Sequence, residues 1–307
     1  MDKKTFKFFI NITVLFVVTS FIVDKLVYLS ITKIEEKVFI GQTVGKVNHY
    51  LSLKDTTDLI VFGSSRANHH LNTLNGVEFN MGMDGKKIAF HATLIKLLPK
   101  SYKQTVVLHI DPEDFFSENY DGSDIKTLKN LFHRNKIINK QLKKLNQDEL
   151  ISNFYYTNLY NFKLVPILKN YLFPRYDYKN YSGFDPIYPN DFQKSVLKKI
   201  LDKKEMNTEC QTNFKINKIY EVYIDEIISF CKENNKKLIV FTSPRYYDNC
   251  KEDNLLFTKI MNKKNINYYD FTNFFNDNND IIYWKDLTHL SSLGAELFTK
   301  DFRKLIY

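Results

Sequence analysis

The hydrophobic pattern divides the chain into three stretches. An uncharged apolar run, Phe8 to Val23, follows Lys3, Lys4 and Lys7 and is closed by Asp24 and Lys25. It falls slightly short of the ~20 residues a spanning helix needs. The following "LVYL", Leu26 to Leu29, and a snorkelling Lys25 extend it. No small-x-small cleavage site and no lipid-accepting cysteine follows the run, so it reads as an uncleaved signal anchor. The leading lysines place the N-terminus in the cytoplasm and the remainder outside it. This predicts a cytoplasmic tip and transmembrane anchor over 1–30 and a juxtamembrane connector over 31–57.

From Asp58 the pattern changes. "LIVF" (59–62) is a short apolar run bounded by polar residues, as expected of a buried strand. "GVEFN" (76–80) predicts a second strand, "KKIAFHATLIKLL" (86–98) a helix, and "QTVVLHI" (104–110) a third strand. This alternation is the rhythm of a parallel α/β sheet. It breaks over about 113–213, where helical patches and a turn-rich aromatic segment (170–190) predict an insertion. It resumes with an amphipathic helix (218–235), a strand ending at Pro244, a helix over roughly 253–263, a strand (266–272) and a last helix from Ser292. The expected architecture is therefore one mostly parallel α/β domain over 58–307, interrupted by a helical and aromatic insertion. Packing of that aromatic segment onto the core is the preferred reading over stacking on sugar rings.

Charge changes this picture little. The formal net charge is +9, from 44 basic and 35 acidic residues. The lysines are scattered among acidic residues without a nucleic-acid-binding motif, so a solvated basic surface is expected and a nucleic-acid partner is not. Cys210, Cys231 and Cys250 form no CxxC, and His69, His70, His91 and His109 lack the spacing of a ligand set. No metal or cofactor is expected. Cys231 falls on an apolar helix face, whereas Cys210 and Cys250 are compatible with a disulfide in an oxidising compartment.

In open parallel sheets, ligands bind beyond the carboxyl ends of the strands. Gly63, Ser64, Ser65 and Arg66 follow the first predicted strand. Asn80, Gly82, Asp84 and Gly85 follow the second, and Asp111 and Glu113 the third. Asp286 and His289 follow the last strand and a loop. A serine nucleophile needs a base within hydrogen-bond reach, and a carboxylate that fixes the tautomer of that base. Asp286-Leu-Thr-His289 supplies both from one turn. A serine that opens a helix also presents its own N–H, and a tight glycine turn presents another. Two such donors make a partial oxyanion hole.

These blocks resemble the SGNH (GDSL-like) hydrolase and acyltransferase superfamily over residues 58–111 and 237–304. Gly63-Ser64-Ser65 is similar to its Gly-Asp-Ser block, which makes Ser65 the implied nucleophile. Asn80 to Gly85 is similar to its second block, with Gly85 as the implied oxyanion glycine and Asn80 beside it. Asp286 and His289 match its Asp-x-x-His block. The resemblance implies a three-layer flavodoxin-like sheet. The "GSSR" version with an N-terminal anchor resembles membrane-tethered proteins that modify cell-surface polymers, including relatives of alginate-acetylation and lipoteichoic-acid alanylation proteins. It thus implies a membrane-anchored, extracytoplasmic serine esterase or O-acyltransferase acting on an acylated glycan or other envelope polymer, with a membrane acyl-transfer protein as a further partner.

One block departs from the pattern. Where the superfamily has Gly-x-Asn-Asp, this chain reads His109-Ile-Asp111-Pro-Glu-Asp114. A carboxylate near a developing oxyanion repels it, so Asp111 is expected to turn away or to bind another group. The hole is then weaker, or takes a donor such as Arg66, which also suits an anionic substrate. The alternative is an SGNH-like binding or assembly subunit without efficient turnover.

Overall fold

The computed structural model describes residues 2–203, 210, 214–248 and 250–306. In chain order its elements begin with α1 (Lys3–Glu35), α2 (Val44–Leu53), β1 (Leu59–Phe62), α3 (Ser65–His70), β2 (Glu78–Asn80) and α4 (Ile88–Ile95). Then follow β3 (Gln104–His109), α5 (Pro112–Phe115), α6 (Lys136–Lys144), α7 (Leu164–Leu172), α8 (Asp191–Asp202) and α9 (Lys218–Glu233). The chain ends with β4 (Lys236–Thr242), α10 (Lys251–Lys263), β5 (Asn267–Asp270) and α11 (Ser292–Ile306).

The five strands form one parallel sheet in the order β2-β1-β3-β4-β5. Its inner strands carry continuous apolar runs, LIVF in β1, VVL in β3 and LIVF in β4, because both faces are covered. Leu59 and Val61 of β1, Val107 of β3, and Ile239 and Phe241 of β4 pack with Ala67 of α3, Leu71 at its end, and Ala295, Phe298 and Phe302 of α11. Alternate residues face the other way. Phe62 meets the rings of Tyr50 and His91, and α9 packs against β4 and α4. All five expected strands appear, four of them trimmed: β2 loses Gly76-Val77, β3 loses Ile110, β4 loses Ser243-Pro244, and β5 is cut at both ends to Asn267–Asp270.

The chain forms two compact units. One contains residues 50–125 and 179–307 and carries the sheet. The other contains residues 1–49 and 126–178. The expected insertion therefore splits: its middle groups with the N-terminal helix, while 113–125 and 179–203 belong to the sheet unit. The connector is largely helical, since α1 continues to Glu35 and α2 follows.

In the unit of residues 1–49 and 126–178, α1 is long and apolar enough to cross a membrane. Its C-terminal part is pinned to the 126–178 segment. Glu35 is fully buried, accepts hydrogen bonds from Asn130 and Tyr160, and pairs with Arg134.

In the sheet unit, part of the aromatic stretch serves the scaffold. Asn80 N–H donates to Ser182 O at 2.8 Å, so the 181–187 segment covers the exposed edge of β2. Gly183 is needed there, because at φ +89° a Cβ would lie 2.1 Å from Asn80 O. Cys210 and Cys250 form a disulfide with Cα atoms 5.3 Å apart, and Cys231 is a buried free thiol.

Candidate active site

The site grows from the turn between β1 and α3. Gly63 has φ +144°, and a Cβ there would lie 2.6 Å from His109 Cβ and 2.8 Å from Ala67 Cβ. Glycine therefore lets the chain turn tightly off the strand. Ser64 caps α3 and Ser65 opens it. The Ser65 N–H is thus among the first N–H groups of a helix, which have no intrahelical acceptor.

Ser65 Oγ lies 2.8 Å from His289 Nε2, across 224 residues of sequence. His289 Nδ1 lies 3.0 Å from both carboxylate oxygens of Asp286. An ionised carboxylate only accepts, so Nδ1 carries the proton and Nε2 accepts from the serine hydroxyl. These separations fall within the range for proton transfer. Asp286 Oδ1 also accepts the N–H of Thr288 and of His289, each at 2.9 Å. Burial works against its charge, but the His289 ring and the Thr288 N–H outweigh burial and hold its carboxyl well below the usual range. A bridge between Trp284 and Leu290 closes this turn at its base.

His70 anchors the same turn. It is completely buried, and its Nε2 accepts the Leu290 N–H at 3.0 Å. Burial first, and the Arg66 charge second, push its pKa well below that of a free imidazole, so the ring stays neutral and able to accept. The adjacent His69 points elsewhere, with Nδ1 2.6 Å from Asp185 O and Nε2 3.2 Å from Asp84. Burial opposes a charge on His69, yet these acceptors outweigh it and raise its pKa.

A cleft of about 210 Å³ lies beside the serine, bordered by Ser65, Gly85, Lys87, Asp111, Arg245 and His289 among others. Gly85 has φ +67° and no atom within 4 Å of an added Cβ, so its backbone faces open space.

The two other expected site residues behave differently. Asn80 does not reach the cleft. It is completely buried, its Nδ2 donates to Ala67 O and Leu71 O at 2.8 and 2.7 Å, and its Oδ1 accepts from Gly82 at 2.8 Å. Every polar position of the amide is occupied in holding α3 and the β2 turn, so its part is structural. Arg66 borders the cleft but is only 4% exposed. It is ion-paired with Asp111, and its Nη1 is shut away from solvent. Burial first, and Arg245 second, push its pKa down to about 9.

Asp111 is thus bound by a cation instead of opposing an oxyanion. Arg245 joins it at 3.4 Å and also reaches Glu113 at 2.8 Å. Sequence reasoning missed Arg245. The signal was available, because Arg245 follows the carboxyl end of β4 as Arg66 follows that of β1. Lys86 and Lys87 also line the cleft, giving four cations against the carboxylates of Asp111, Glu113 and Asp114. Three of these cations are already paired, Arg66 with Asp111, Arg245 with Glu113 and Lys87 with Asp114.

No protein-family model and no curated protein matches the chain.

Proposed function

We propose that the protein is a membrane-anchored, extracytoplasmic serine esterase or O-acyltransferase of SGNH type, acting on acyl groups of a cell-surface glycan or related envelope polymer. The observation that carries this reading is the continuous relay from Asp286 through His289 to Ser65, with links of 3.0 and 2.8 Å. The strand order β2-β1-β3-β4-β5 is that of doubly wound flavodoxin-like sheets, which supports the three-layer SGNH architecture. The Cys210–Cys250 disulfide supports an oxidising, extracytoplasmic address, and the length and apolarity of α1 support an anchor.

In this mechanism His289 Nε2 takes the Ser65 proton as Oγ attacks the acyl carbonyl carbon. The N–H groups of Ser65 and Gly85 hold the resulting oxyanion, each contributing a few kcal/mol. Protonated His289 returns the proton to the departing alkoxide, leaving Ser65 acylated. A second hydroxyl, deprotonated by His289, then attacks the acyl-serine; the acyl C–Oγ bond breaks, His289 returns the proton to Ser65 Oγ, and the product ester or acid departs. Water as acceptor makes the reaction a hydrolysis, and a sugar hydroxyl makes it a transfer. Asp111 does not oppose the oxyanion, because Arg66 and Arg245 neutralise it.

The test is labelling of the detergent-solubilised full chain with a fluorophosphonate probe. Wild type should label, Ser65→Ala should not, and His289→Ala should label far more slowly. Equal labelling of wild type and Ser65→Ala would remove Ser65 as nucleophile. Absence of labelling in a folded wild type would favour a binding subunit.

A further inference from the structure

The N-terminal helix and the 126–178 segment meet at an unusual depth. An uncharged run from Phe8 to Val23 leaves a span of ~20 residues incomplete until about Val27. Asp24 and Lys25 therefore fall within the last turn of the span. Leu26, Val27 and Leu29 beyond them are 60%, 43% and 54% exposed, so the apolar surface of α1 continues past the charged pair.

Residues 154–157 satisfy both charges at this level. Asp24 accepts the N–H groups of Tyr156 and Thr157 at 2.7 and 3.0 Å, and Lys25 Nζ donates to Phe154 O. One turn deeper, Ser20 Oγ is 3.0 Å from Tyr155 Oη. A segment that touches Ser20, inside the uncharged run, lies at a depth the bilayer covers. Most of the side chains it turns outward are apolar: Leu150 is 81% exposed, Ile151 56%, Phe154 62% and Phe162 92%, with Asn153 and Asn161 the exposed polar residues among them. Its backbone is closed into turns, with Ser152, Phe154 and Tyr155 N–H groups bonded to Glu149 O and Ile151 O. Internal satisfaction of this kind is what non-helical backbone at membrane depth requires. Tyr155, Tyr156 and Tyr160 are residues typical of the membrane–water boundary.

We infer that the 150–165 segment is a second membrane contact, immersed in the boundary layer of the bilayer beside α1. Its occupant is phospholipid. A groove of about 690 Å³ runs between α1 and this segment, walled by Val23, Val27, Ile31, Ile151, Phe162 and Leu164. An acyl chain of a bilayer lipid fills it. The contact would fix the depth of this unit at the membrane surface more firmly than one helix alone does. The inference rests on α1 spanning the bilayer.

Fluorescence quenching in nanodiscs tests it with the full chain. Single variants Phe154→Trp, Phe162→Trp, Phe16→Trp and Lys140→Trp are compared in discs of ordinary phospholipid and of phospholipid brominated on its acyl chains. The signal of the native Trp284 is subtracted using wild type. All four positions are exposed, so folding should be unaffected, and circular dichroism checks this. Phe16→Trp, Phe154→Trp and Phe162→Trp should each lose most of their emission in brominated discs, while Lys140→Trp keeps it. Quenching at Phe16→Trp with Phe154→Trp and Phe162→Trp behaving like Lys140→Trp would overturn the inference and assign the surface to a protein partner or a second copy. Absence of quenching at Phe16→Trp would remove the anchor itself, and the inference with it.

Discussion

Asp111 gains its meaning from two arginines. A lone carboxylate beside Ser65 would oppose an oxyanion, but paired with Arg66 and Arg245 it becomes the counter-ion that lets two cations sit together at the cleft. Removing one partner of a buried ion pair leaves the other uncompensated, which costs about 3–5 kcal/mol. Asp111→Ala should therefore lower the urea midpoint markedly. The double variant Arg66→Met, Asp111→Leu should recover much of the loss, since apolar groups of similar volume replace a buried pair at little cost. A double variant no more stable than Asp111→Ala alone would show that the pair is not the source of the loss. Ser65, Asp286 and His289 were legible in sequence as candidate site residues because each lies at the end of a strand or in one short turn. Arg245 was legible only as a cation beyond the end of β4, and its pairing with Asp111, 134 residues away, was not.

At the scale of elements, the β1–α3 elbow leaves no room for a side chain at Gly63. Gly63→Ala would place a methyl group 2.6 Å from His109 Cβ at a φ that side chains rarely adopt. Neither neighbour is a flexible side-chain end, so the backbone must move and carry Ser65 with it. Destabilisation of about 2–4 kcal/mol is expected from overpacking and backbone strain together. Thermal unfolding and fluorophosphonate labelling should both fall. A variant with wild-type Tm and labelling rate would contradict this account of the turn. At Gly85 nothing surrounds an added Cβ, so alanine there should strain the backbone without a clash. The strands themselves were legible from their apolar runs, whereas the trimming of their ends depended on which residues found partners in the ladder.

At the scale of the whole molecule, buried neutral histidines set the response to acid. Burial first, then the Arg66 charge, holds His70 and His109 well below the ordinary imidazole pKa, and burial pushes His49 down to about 4. Between the folded value and the unfolded value near 6.5, the unfolded chain binds more protons than the folded one. Stability therefore falls as pH drops through that window, by on the order of 1 kcal/mol per pH unit for each histidine within it. The Tm should decline steadily from about pH 6.5 toward about pH 4, while His69, whose pKa is raised, adds a smaller opposing loss as pH rises above about 6.5. A flat Tm through that decline would mean that these histidines are not held neutral.

Local patterning by itself determined the apolar N-terminal run, the alternation of strand and helix, and the candidate residues for a serine–histidine–aspartate site. These are legible because strand and helix periodicity and the Asp-x-x-His turn involve residues close in sequence. Tertiary structure alone decided that Ser65 and His289 meet, that Asn80 turns inward to brace α3, and that Arg245 completes a charge cluster with Asp111. It also decided that the middle of the insertion packs with α1. Such pairings arise when the sheet brings distant loops to one rim and when buried polar atoms find partners there. Hydrophobic periodicity records which face of an element is buried, and does not record which distant side chain lies opposite it.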